Sequence, residues 1–160
     1  PGILRDRKKA WDEAVARLAA IRGEYDAAAA KKDGSALLDA AEKLHGHFEK
    51  MVRIVRPAPK ELDAFHGTLY VLYHRQLDPF ALDAVSKSVA TLKEKMGPLS
   101  AATLPERQKA KEPAFVAARA ALGAAVEAAV ATIPGKDEKA IRAAVELVHT
   151  RYQEVEKVFD

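Results

Sequence analysis

Two short motifs carry the clearest chemistry in this chain: "EKLH", Glu42 to His45, and "ELVH", Glu146 to His149. On a helix, positions i and i+3 lie one turn apart on one face, so a carboxylate and an imidazole at that spacing can bind one ion. Two further histidines, His66 and His74, share a third stretch, with Tyr70 midway between them and Tyr73 beside the second. His45, His66, His74 and His149 are therefore the candidate metal ligands. Three or four neutral imidazoles suit Zn²⁺, Cu²⁺ or Ni²⁺, and the thioether of Met51 would shift the preference toward Cu⁺. The tyrosine hydroxyls are placed to hold imidazole tautomers. The competing role for each histidine is a hydrogen-bonding one, inside or at the edge of the helix packing. The fifth, His47, is expected to face solvent, because Gly46 leaves its flank open.

Two facing helices with Glu-x-x-His motifs resemble the ferritin-like di-iron carboxylate proteins. The resemblance covers four residues, Glu42, His45, Glu146 and His149. It implies one more glutamate from each of two other helices, and Glu24 and Glu127 lie at the right heights. All four carboxylates flank the apolar stripes, so a di-iron site would need them turned inward. Non-covalent haem is a variant, needing an axial His or Met and a gap that an alanine-rich core could leave. The chain has no cysteine, which excludes disulfides, zinc–thiolate sites, Fe–S clusters and covalent c-type haem. No Gly-rich phosphate loop and no nucleophile elbow stands behind a nucleotide-enzyme or hydrolase reading.

The elements that must position these residues are helices. Of the 160 residues, 49% are hydrophobic, 31% charged and only 6% aromatic. Alanine is abundant and β-branched residues are sparse, which favours helix throughout. The net charge of +3 comes from interleaved acids and bases, so no basic face for nucleic acid is expected. The densest basic stretch, "RQKAK" at Arg107 to Lys111, reads as a solvated connector. No continuous run of about eighteen apolar residues is visible, so no membrane span is expected. A start at Pro1 fits a processed chain, and the composition suits an exported protein as well as a cytoplasmic one.

Six apolar stripes of helical period can be followed. The first helix is expected over Ile3–Lys32, with Trp11, Ala14, Leu18, Ile21, Tyr25 and Ala28 inward. "KKDGS" ends it, with Gly34 as breaker and Ser35 as the next N-cap. The second, over Ala36–Arg56, turns Leu37, Ala41, Leu44, Phe48, Met51 and Val55 inward, and "RPAP" stops it. A third segment, Lys60–Leu77, leads to Asp78 as N-cap and Pro79 as first residue of a fourth, which runs to about Met96. "GPLSAATLP" reads as an irregular linker. The fifth helix covers Pro113–Ile133 and the sixth Glu138–Phe159.

The first and last helical pairs align at a displacement of 104 residues. Trp11 matches Phe115, Leu18 matches Leu122, and the Lys32-Asp33 turn matches Lys136-Asp137. Leu37 matches Ile141, His45 matches His149, and Phe48 matches Tyr152. The expected fold is all-α: an antiparallel four-helix bundle built from two repeat-related hairpins, 3–56 and 113–159. A middle helical pair, 60–97, is inserted between them, and a linker, 98–112, completes the connection, all in one domain of 1–160. The expected function is a small soluble metal-binding bundle, a carrier, buffer or sensor loading Zn, Cu or Ni through histidines. The alternative is a non-catalytic module that holds a partner protein, with structural histidines.

Overall fold

The computed structural model describes residues 2–159, with side chains from Arg5 onward. The chain is all-helical, with no strand among the described residues. Six helices occur in order: α1 Gly2–Ala30, α2 Gly34–Val55, α3 Lys60–Val71, α4 Leu82–Ala101, α5 Glu112–Thr132 and α6 Glu138–Lys157. They fall into two compact units, Pro1–Pro57 and Ala58–Asp160, divided inside the "RPAP" stretch.

The first unit is a hairpin of α1 and α2. Its turn is made by Lys32, which adopts a left-handed φ of 54°, and by Asp33, whose Oδ1 accepts from the Ala36 backbone N–H at 3.0 Å. The N-cap is thus Asp33, two residues before the expected Ser35. A carboxylate at Asp33 reaches the orphan N–H groups of the first turn, and this lets the helix begin at Gly34. Two bonds tie the back of the hairpin together. Lys43 Nζ lies 2.6 Å from Glu24 Oε2, and His47 Nε2 donates to the Ala14 carbonyl at 2.7 Å. His47 is therefore a helix–helix tie rather than a solvent-facing residue. The buried apolar residues of this unit are Ala14, Ile21, Ala28, Ala40 and Met51.

The second unit packs α3, α4, α5 and α6 around one core. Neighbouring helices run antiparallel, as the contact pairs show. Lys95 on α4 bonds back to Ala64 and Thr68 on α3, Lys93 meets Glu127 on α5, and Phe65 on α3 stacks near Tyr152 on α6. The fully buried side chains come from all four helices: Leu62, Phe65 and Leu69 from α3, Val85 and Leu99 from α4, Phe115 and Leu122 from α5, Ile141, Val145 and Val155 from α6. Within this unit the inner face of α5 and α6 is covered by α3 and α4. The middle pair supplies half of this core.

Two boundaries differ from expectation for identifiable reasons. Helix α4 runs through Gly97 and Pro98 to Ala101, five residues into the expected linker. Fully buried Leu99 anchors this last turn, and the Arg119 guanidinium donates to the Leu99 and Ala102 carbonyls that end it. Those charge-assisted bonds satisfy acceptors a helix terminus leaves orphaned. Before α4, Asp78 and Pro79 lie in a turn, and the helix starts at Leu82. The Ala81 N–H closes that turn on the Gln76 carbonyl at 3.0 Å. Residues 106–111 form a 3₁₀ turn rather than an open connector. The segment Glu106–Gly135, which contains α5, is long and apolar enough to cross a membrane by length and composition. It is not a continuous apolar run, because Arg119 and Glu127 interrupt it. Its apolarity is spread over alanines, while Phe115 and Leu122 within it are fully buried in the core.

Candidate functional site

Three of the four candidate ligands lie on the seam between α3 and α6. After Val71 the helix widens into a π-helical turn, Leu72–Gln76. A π turn adds a residue to the repeat and shifts the phase of the residues after it. It keeps Leu72 and Leu77 buried while Tyr73 and His74 remain only half-buried at the seam. The rings there form one chain of contacts. Tyr152 stacks on His66 with centroids 4.7 Å apart and planes 5° from parallel. His66 meets Tyr70 edge-on at 6.2 Å, and Tyr70 meets His74 at 4.7 Å. Tyr73 touches His74 at 5.2 Å and stacks on His149 at 4.1 Å.

The carboxylates at this seam serve the tyrosines. Tyr73 donates its hydroxyl to Glu146 Oε2 at 2.7 Å, and Tyr152 donates to Glu156 Oε1 at 2.7 Å. The Glu146 carboxylate that accepts from Tyr73 pushes the phenol above the ordinary tyrosine range, and burial adds to the shift. Glu127 pairs with Lys93 at 2.9 Å. His45 belongs to the first unit, where its Nε2 lies 3.2 Å from Glu49 Oε1. Glu24, also in that unit, is held below the usual carboxylate range by its bond to Lys43. Among the described residues no three of His, Asp and Glu gather closely enough to hold a metal ion. The structure thus brings His66, His74 and His149 into one row of ring contacts, with tyrosine rings between or against the imidazoles. Contacts of this kind contribute packing energy and fix ring orientation.

The second notable region is the face of the first hairpin. Residues Trp11, Leu38, Phe48 and Val55 are 39%, 64%, 61% and 59% exposed, and Val15 is exposed beside Trp11. Three of these were expected in the core: Trp11, Phe48 and Val55. Their counterparts 104 positions on, Phe115, Tyr152 and Phe159, are 0%, 1% and 4% exposed. The two hairpins have the same turn. Lys136 repeats the φ of 54°, and Asp137 Oδ1 accepts from the Ala140 N–H at 3.2 Å. What differs is the cover that α3 and α4 give to one of the two faces. A signal for this was present in the sequence, since residues 1–57 contain only two helices and two helices cannot enclose a shared apolar stripe.

A shallow groove at the α4–α5 seam, lined by Val89, Lys93, Glu94, Val130 and Pro134, carries no histidine. The chain matches no family model, no curated protein and no solved structure in searches of each.

Proposed function

We propose that this chain is a binding module, rather than a catalyst, that docks an amphipathic helical partner on the apolar face of α1 and α2. One observation carries the reading: the face is exposed at Trp11, Phe48 and Val55, while the equivalent face of α5 and α6 is sealed by a helical pair. Isolated exposed apolar side chains need no explanation, but a contiguous row at helical spacing marks an interaction surface. Helix-in-groove recognition uses such i, i+4 and i+7 anchors, and Trp11, Val15 and half-buried Leu18 have that spacing on α1. Trp11 is the chain's sole tryptophan, so it reports the face directly. Titrating dilute protein with a synthetic amphipathic Leu/Ala helix should shift Trp11 emission to the blue and saturate. Phe48→Glu should abolish the response. An emission spectrum indifferent to the peptide would sink the proposal.

A second reading keeps the expected metal role for His66, His74 and His149, which share one seam with tyrosine rings between them and would have to rearrange locally to ligate Zn, Cu or Ni. Calorimetric titration with Zn²⁺ tests it. Stoichiometric uptake lost in His149→Ala supports the reading, and heats no larger than dilution refute it.

A further inference from the structure

We infer that the partner on the α1/α2 face is a second copy of this chain, seated hairpin on hairpin about a twofold axis. This rests on the docking reading above and names its occupant.

Three observations argue for it. First, what seals the equivalent face of α5 and α6 is a pair of antiparallel amphipathic helices, α3 and α4, and the α1/α2 hairpin of another copy is itself such a pair. A self-complementary patch is what a twofold interface requires. Second, the face is graded in size along its length. The open end carries the rings of Trp11 and Phe48 with Val55, and the turn end, residues 27–41, has no aromatic and offers exposed Ala27, Ala29, Ala30 and Leu38 with half-buried Ala36 and Leu37. Two copies laid head to turn set the rings of each against the smaller side chains of the other. That is how close-packed helical layers interdigitate. Third, charge has the same gradient. Residues 5–13 with 49–56, at the open end, hold seven Lys or Arg against four carboxylates. Residues 22–43, around the turn, hold five carboxylates against four Lys or Arg. Head-to-turn pairing sets the basic open end of one copy over the nearly neutral turn end of the other, whereas head-to-head pairing would set two basic ends together.

The size is adequate. Helix α2 has 22 residues, so the face is about 33 Å long and two helices, about 20 Å, wide. Two such faces bury on the order of 1,300 Å², within the range of stable specific interfaces. Other exposed apolar side chains, such as Val71, Val116 and Leu147, lie in the second unit on three different helices or helix ends and form no comparable row.

Sedimentation of the full chain over a wide concentration range tests the inference. The expected result is a reversible rise in mass from 17.4 kDa to twice that value. Phe48→Glu should raise the dimer dissociation constant at least about a hundredfold. Because Phe48 is 61% exposed, the variant should keep its helix content, which circular dichroism checks. Leu147→Glu, exposed in the second unit, should dimerise as the native chain does. A native chain that stays monomeric overturns the inference, as does growth beyond twice the mass, or a Phe48→Glu chain that still dimerises. If the chain stays monomeric and the peptide still shifts Trp11 emission, the second-copy assignment falls while the docking face stands. If neither response is seen, both fall.

Discussion

The hairpins α1/α2 and α5/α6 start from the same local instructions and reach different states of burial. In each, a lysine at φ 54° and an N-capping aspartate make the turn, and each places an aromatic at the open end of its first helix. In the second, Phe115 packs edge-on against Phe159 with ring centroids 5.6 Å apart, and Arg119 lies over the Phe115 ring at 5.0 Å. In the first, the corresponding Trp11 and Val55 are exposed. The same amphipathic pattern thus yields a core when two more helices are supplied and a free face when they are not. Propensity and capping decide that a hairpin forms; the cover decides what its apolar face is for.

The sharpest way to break this comparison is to truncate the matched aromatics. Tyr152→Ala should cost about 3–5 kcal/mol, because a fully buried ring leaves a cavity among Phe65 and His66. Phe48→Ala should cost less than about 0.5 kcal/mol in dilute protein, as exposed positions do. Urea denaturation measures both. Equal losses would mean that Phe48 is as enclosed as Tyr152 and would remove the asymmetry.

A smaller effect tests the shared part. Asp33→Ala and Asp137→Ala should each cost about 1 kcal/mol, because each removes one side-chain acceptor from a helix N-terminus. Similar values would show that the two turns are energetically alike. A value near zero at either one would show that its cap is dispensable.

The smallest effect concerns pH. Tyr73 holds its proton more tightly in the folded chain than in the unfolded one, because Glu146 accepts its hydrogen bond. That contribution is full below the unfolded tyrosine pKa of about 10 and is lost as pH rises through the higher folded value. Alkaline unfolding should therefore begin with a component that Tyr73→Phe removes. An ultraviolet titration should place the Tyr73 phenolate above the ordinary tyrosine range, and a difference spectrum at the ordinary value would contradict the assignment.

How much of this was legible in the sequence depends on which facts are local. The stripes, the six helices and the equivalence of Lys32-Asp33 with Lys136-Asp137 are properties of short windows, and periodicity and capping rules expose them. That Phe48 and Tyr152 fare oppositely is not local, since it depends on which helix lies across from each. Helical Pro98 was hidden for the same reason, because Leu99 and Arg119 act through contacts twenty residues apart in the chain. The π turn at Leu72–Gln76 leaves no composition signature, and it sets the phase of Tyr73 and His74. His66 is half-buried, and its stacking on Tyr152 depends on a helix more than eighty residues away in the chain. Gly46 beside His47 suggests an open flank, while the deciding partner, the Ala14 carbonyl, sits on another helix.

If the α1/α2 face closes on a partner, Trp11 must pass from water into an interface. Acrylamide quenching of Trp11, measured from dilute to concentrated protein, tests this most directly. Strong quenching of a water-exposed indole is expected at low concentration. Quenching should fall, and emission should shift to the blue, as protein concentration rises, with neither change in Phe48→Glu. Weak quenching that is already present in dilute protein and unchanged by concentration would contradict it.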